Sequence, residues 1–177
     1  MALIIEDGSI VQNANSYVTL AEARDFALNY NVTLTTDDSA LTALLVQAKD
    51  YLQTIDFKGL YVDSEQELSF PREYLYINDK EIDSQSIPKK IKQAQIMLAM
   101  IASEGVDLLS TVSGQKVVKE KLGDLEVQYS DKDSIGSTQE PIFMQLKSFI
   151  GHYVENTSIY YVADKSTNHS DNFVYRI

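Results

Sequence analysis

Two stretches repeat apolar residues at helical spacing, and they constrain the fold more than any other feature of the chain. Leu41, Leu44, Leu45, Ala48, Leu52 and Ile55 share one helical face, as do Ile87, Ile91, Ala94, Leu98, Ile101 and Ala102. A stripe of this kind must be covered by another element, and two such stripes can cover each other. The punctuation agrees. Asp37 and Asp38 place negative charge at the positive end of the first helix, and Phe57-Lys58-Gly59 is read as its end. Ser86 is expected to cap the second, with Pro88 in its first turn and Gly105 at its close.

Weaker signals complete the outline. Thr19-Leu20-Ala21-Glu22 fits a capping box, so a helix is expected from Leu20 to about Tyr30. Pro141 opens another helix, with Phe143, Leu146, Phe149, Ile150 and Tyr153 facing inward. Val117 to Tyr129 reads as a hairpin around Gly123-Asp124, in a register that sets Lys121 opposite Glu126. Asp7-Gly8 and Asn13-Ala14-Asn15-Ser16 are turn-prone. Leu60 to Ser86 lacks a clean period and reads as a long ordered loop with short strands at most and a turn at Asn78-Asp79, a length that is often functional. The expected fold class is mainly α, a small helical bundle of about four helices with a projecting β-hairpin and a C-terminal arm. Residues 1–155 would form the helical domain, with the hairpin at 117–129, and residues 156–177 the arm.

Composition narrows the function. The 177 residues are 44% hydrophobic, which suits one globular domain able to bury a core without staples. The absence of cysteine removes disulfides, thiolate metal sites and a thiol nucleophile together. Fifteen basic residues stand against 26 acidic ones, a formal charge of −11. Proteins that bind DNA by themselves usually show a basic face, because phosphate neutralisation supplies most of their affinity. An acidic chain repels polyanions and would suit a surface that DNA slides past. The first residues lack a basic n-region and a long apolar core, so no signal peptide is expected. No run approaches the length of a membrane span, so no membrane partner is expected and synthesis in the cytoplasm is.

No catalytic constellation emerges. His152 and His169 have no neighbours at metal-ligand spacing. Asp131, Asp133 and Gly136 resemble part of a calcium loop but lack its closing glutamate. Phosphate-binding loops, dinucleotide fingerprints and nucleophile elbows are missing from the sequence. No residue is therefore assigned to catalysis, cofactor or metal. The Asn156 and Asn168 sequons carry no information without a secretory context.

The compositional oddity is 11 tyrosines with no tryptophan. Tyr74 and Tyr76 lie beside Phe70 and Arg72, and Tyr160, Tyr161, Phe173 and Tyr175 lie in the arm. Interfaces concentrate aromatics and arginine at their centres, and ordinary half-buried packing uses the same residues. Base stacking on single strands is a third use, weakened here by the few accompanying cations. The candidate subunit or partner contacts are these seven residues together with Arg72, and Leu122 and Leu125 in the hairpin.

Five blocks also resemble, in order, the head-tail connector (adaptor) proteins of tailed bacteriophages, some of whose members carry a DnaT-like single-stranded-DNA-binding label. The first is Asp7-Gly8 with Asn13-Ala14-Asn15-Ser16-Tyr17 and Ala21-Glu22-Ala23; the second is Ala48 to Leu52 with Phe57-Lys58-Gly59. The third is Gln66, Leu68 and Phe70-Pro71-Arg72; the fourth is Ile87-Pro88, Lys92-Gln93-Ala94-Gln95 and Leu98-Ala99. The last is the hairpin, with Val118, Glu120-Lys121, Gly123, Leu125-Glu126-Val127 and Tyr129. The resemblance covers Ala2 to Phe149; it departs at Phe57 and Phe70, where tryptophan is common, and in the tail after Asn156. It implies a structural virion protein in the neck, assembled in the host cytoplasm as a ring, commonly of about twelve copies. Its implied partners are the portal protein, neighbouring copies of itself and tail or neck proteins. DNA would pass through the lumen without sequence-specific binding. The alternative is a single-stranded-DNA-binding, DnaT-like replication protein.

Overall fold

A computed structural model describes residues 2–109, 119–122, 125–128 and 146–155. Its elements in chain order are α1 (Leu20–Leu28), α2 (Asp38–Gln53), β1 (Leu60–Tyr61), β2 (Arg72–Glu73), β3 (Tyr76–Ile77), β4 (Lys80–Glu81), α3 (Lys89–Ser103), β5 (Lys119–Leu122) and β6 (Leu125–Gln128). Residues 146–150 add a fourth helical segment. The class is the expected one, mostly helical with small two-stranded ladders.

α2 and α3 pack on each other, with α1 against α3. Leu41, Leu45, Ala48 and Leu52 meet a broad buried face of α3 that includes Ile91, Ala94, Leu98, Ile101 and Ala102. The α3 face is wider than one stripe, because Gln95, Ile96, Ala99 and Met100 are buried as well. The capping box of α1 forms as expected: Glu22 N–H donates to Thr19 Oγ1 at 3.2 Å, and Thr19 N–H donates to Glu22 Oε2 at 2.7 Å. The Thr19 amide holds the Glu22 carboxyl below its ordinary range. Asp37 caps α2 through the Ser39 amide, 2.9 Å away.

Three boundaries differ from the sequence reading. α1 ends at Leu28, two residues short of Tyr30. α2 ends at Gln53, because the Thr54 amide and hydroxyl both turn back to the Tyr51 carbonyl. Ser86 does not cap α3. Pro88 is the N-cap without a side-chain hydrogen bond, and the Ser86 hydroxyl donates to the Asp83 carbonyl at 2.9 Å instead.

Beyond α2 the chain does not simply loop. Phe57 forms an antiparallel bridge with Val154, where Lys58 N–H donates to the Tyr153 carbonyl and Glu155 N–H to that of Asp56. Leu146, Phe149, Ile150 and Tyr153 are thereby buried in the same core, as the spacing required. Pro141 and Phe143 lie outside the described residues. In the 60–86 segment β1 pairs with β2, and β3 pairs with β4. Asn78 and Asp79 both take positive φ (51° and 61°), as a type I′ turn requires. The β5–β6 register pairs Lys121 with Glu126 and Leu122 with Leu125, as read from the sequence. No helix among the described residues is long and apolar enough to cross a membrane.

The turn-prone N-terminal stretch is an internal structure. Asn15, Ser16 and Tyr17 are buried. Asn15 Oδ1 accepts the Ile4 amide and its Nδ2 donates to the Ala2 carbonyl. The buried Glu6 carboxylate accepts the amides of Gly8, Ile10 and Val11, holding Ile10 at a φ of 61° that a β-branched residue rarely adopts. Gly8 (φ 112°) lies so close to the 85–86 backbone that an added Cβ would sit 2.1 Å from the Gln85 carbonyl oxygen. Gly8→Ala is therefore expected to cost about 2 kcal/mol or more, from backbone strain and overpacking together. Urea denaturation measures it directly.

Burial also raises the Tyr17, Tyr51 and Tyr153 phenols above their ordinary value of 10.0. An acid with a raised folded pKa stabilises the fold below its unfolded pKa and loses that contribution as pH climbs through the folded value. Stability should thus decline from about pH 10 upward. A midpoint-versus-pH series should show that decline shrink in Tyr17→Phe.

Candidate functional site

Of the residues read as contacts, Phe70 and Arg72 belong inside the molecule. Phe70 is 0% exposed and stands at the centre of an aromatic cluster, 4.9 Å from Phe57, 6.4 Å from Tyr153 and 6.5 Å from Tyr17 between ring centroids. Its amide donates to the Tyr17 hydroxyl at 3.1 Å. Arg72 is 8% exposed, and its guanidinium donates to the carbonyls of Lys58, Gly59 and Ser69 at 2.8–3.1 Å. Every assigned donor is spent on this chain's own backbone, so the arginine organises the loop rather than meeting a partner. Gln66 does related work, accepting the amides of Val62 and Asp63 and donating to the carbonyls of Leu68 and Pro71. The Phe70–Pro71 bond is cis.

This scaffold turns other side chains outward. Tyr74 is 61% exposed and Tyr76 53%, and the exposed Leu60 and Tyr61, which the sequence reading did not select, join them. The Tyr61 ring covers the Arg72 guanidinium at 4.7 Å. Tyr74 holds a positive φ of 53°. That conformation costs an L-residue about 1–2 kcal/mol that glycine would avoid. Bulky apolar surface and local strain on a firmly braced loop are features of binding sites.

The surroundings set what can bind. Between positions 58 and 83 lie Asp63, Glu65, Glu67, Glu73, Asp79, Glu81 and Asp83, against Lys58, Arg72 and Lys80. Arg72 is occupied, and Lys58 Nζ donates to the His152 carbonyl at 3.1 Å. The segment is aromatic and acidic. It favours protein surfaces carrying cations and repels phosphate. The opposite sign appears at the start of α3, where Lys89 and Lys90 are exposed and Lys92 is half-buried. Lys90 Nζ lies 5.1 Å from the Phe149 ring centre.

Among the described residues no three acidic or histidine side chains gather as a metal site. Leu122 and Leu125 are placed only by their strand register. Tyr160, Tyr161, Phe173 and Tyr175, with the rest of the 156–177 arm, lie outside the described residues, as do His169 and the 130–139 linker.

The burial pattern brings four of the five sequence blocks together. Tyr17 from the first, Phe57 from the second, Phe70 and Arg72 from the third and Gln95 from the fourth all close on one interior. Gln95 is the junction: its Oε1 accepts the Tyr17 amide, and its Nε2 donates to Ser16 Oγ and the Leu45 carbonyl. These four blocks are thus chiefly a signature of fold. A family model described as "Putative DnaT-like ssDNA binding protein" matches residues 1–167, which supports the DnaT-like part of the resemblance and not its connector part. No curated protein and no solved structure matches the chain.

Proposed function

The chain belongs to this DnaT-like family, and from that premise we propose that it acts by binding, as a structural subunit joining head to tail in a tailed bacteriophage. In this reading copies form a ring beneath the portal, in the neck of the virion, and DNA passes through the lumen. The observation that carries it is the braced loop presenting Tyr61, Tyr74 and Tyr76 among carboxylates. Such a face suits protein partners, and the net charge of −11 suits a wall that DNA must not adhere to.

Single-stranded DNA binding is the second reading, and the family description favours it more directly than it favours a connector. The lysines at the start of α3 would be its foothold, since helix N-termini and cations both attract phosphate.

One pair of measurements separates the two. The connector reading expects this polypeptide in the neck of purified particles, seen by electron cryomicroscopy, and no mobility shift of oligonucleotides at low salt. A salt-sensitive shift together with particles lacking the chain would replace it with the DNA-binding reading. Within the connector reading, Tyr74→Ala/Tyr76→Ala should change stability by no more than about 1 kcal/mol, as exposed substitutions do. Its incorporation into particles should fall by tenfold or more, about the effect of losing interface anchors. Thermal melts and immunoblots of particles report the two quantities.

A further inference from the structure

Two charged regions on the described surface are uncompensated by the other described residues. The ion pairs within 4.0 Å among the described residues are Arg24–Asp38 and Lys49–Asp50. Lys89 and Lys90 therefore lack a carboxylate there, and Glu73, Asp79 and Glu81 lack a cation. The lysines are also placed against the helix dipole. The first turn of α3 has no acidic residue and its N-cap no side-chain hydrogen bond, so two cations crowd the positive end, each costing about 0.3–1 kcal/mol. A chain with 26 acidic residues had ample means to put one there, as α1 and α2 do with Glu22 and Asp38.

We propose that the missing anions come from a second copy: the acidic tyrosine loop around Tyr74, Tyr76 and Glu81 docks on the lysine-bearing start of α3 in the next subunit. This rests on the reading of the chain as a self-assembling subunit and names the contact. Carboxylates of one copy relieve the lysines of the other, and the exposed tyrosine rings receive the lysine stems and ammonium groups. Both halves are on every copy and differ from each other, so the contact is head-to-tail and propagates around a ring.

The chain has no cysteine, which permits a direct test by oxidation. Tyr76→Cys/Lys90→Cys, concentrated at low salt and oxidised, should give a ladder of dimers, trimers and larger species on a non-reducing gel. Either single variant should stop at dimers. Tyr76→Cys/Gln47→Cys, with its second thiol on the exposed side of α2, should not produce the ladder. Salt at about 0.5 M should suppress it by screening. Lys89→Glu placed in the Lys90→Cys chain should abolish its coupling to the Tyr76→Cys chain. Mixing Lys89→Glu/Lys90→Glu with Glu73→Lys/Glu81→Lys should restore association, read by light scattering. A double-cysteine variant that stops at dimers, or ladders no more than the α2 control, overturns the proposal. So does loss of oligonucleotide binding in Lys89→Glu/Lys90→Glu without any ladder, which would assign the lysines to nucleic acid. If the ladder is missing while the chain still occupies the neck of particles, the contact lies elsewhere and the assembly reading stands.

Discussion

Phe70→Ala is expected to lower the free energy of unfolding by about 3–5 kcal/mol. That is a large share of the 5–15 kcal/mol typical of a domain. The ring is fully buried, and Phe57, Tyr17 and Tyr153 all pack edgewise on it. Truncation removes the contact common to three separate segments, and the gap cannot close by moving one of them. The same backbone position also feeds the Tyr17 hydroxyl through its amide, so any collapse of the cavity disturbs a buried hydrogen bond. Tyr74→Ala, four residues along, should cost little. The contrast between the two, measured by urea denaturation, separates the supporting side of the loop from its presenting side. Similar losses at both positions would mean that Tyr74 is packed, contrary to its exposure.

Gln95→Leu should cost about 2–4 kcal/mol despite keeping volume and adding apolar surface. Gln95 is fully buried in the apolar face of α3, where a leucine would look better on hydropathy alone. Its amide group, however, serves the Tyr17 amide at 2.8 Å and the Leu45 carbonyl at 2.9 Å. Leucine would strand the Tyr17 N–H away from water, and a buried donor left unpaired loses its full solvation. Ser16 Oγ would suffer less, because it keeps its bonds to Val18. Glu at this position would be worse than leucine, since it would bring an unpaired charge inside. Equilibrium denaturation of Gln95→Leu beside Gln95→Glu checks both the size and the order.

These two positions also mark where sequence reasoning stops. The long helices were legible because apolar period alone specifies them, and the capping box because two residues at fixed spacing satisfy each other. Asn78-Asp79 and the β5–β6 register were legible for the same local reason: turn chemistry fixes pairing. Gln95 was not, because a polar residue within a helical stripe looks like an interruption until its partners arrive from Tyr17 and Leu45, far away in the chain. Arg72 was read as a contact because arginine beside aromatics is typical of interfaces. Its true targets are backbone carbonyls, which every sequence possesses and none advertises. Phe70 and Tyr74 illustrate the same limit: composition can say that a loop is rich in aromatic rings, but only the tertiary fold decides which of them face in. Tyr61 was missed for the converse reason, since nothing local distinguishes it from a packed tyrosine. Ser86 failed as a cap because the N-cap falls two residues later, at Pro88, leaving its hydroxyl nearer the preceding turn.

The bridge between Phe57 and Val154 sets the order of events during synthesis. A ribosome that has finished α3 has made both long helices and the whole tyrosine loop, yet one wall of the aromatic cluster is still untranslated. Nascent chains must hold that opening until residues 146–155 emerge and close it. Stalled or nicked products ending before this segment would carry a sticky, half-built interior, and chaperones and proteases would meet them first.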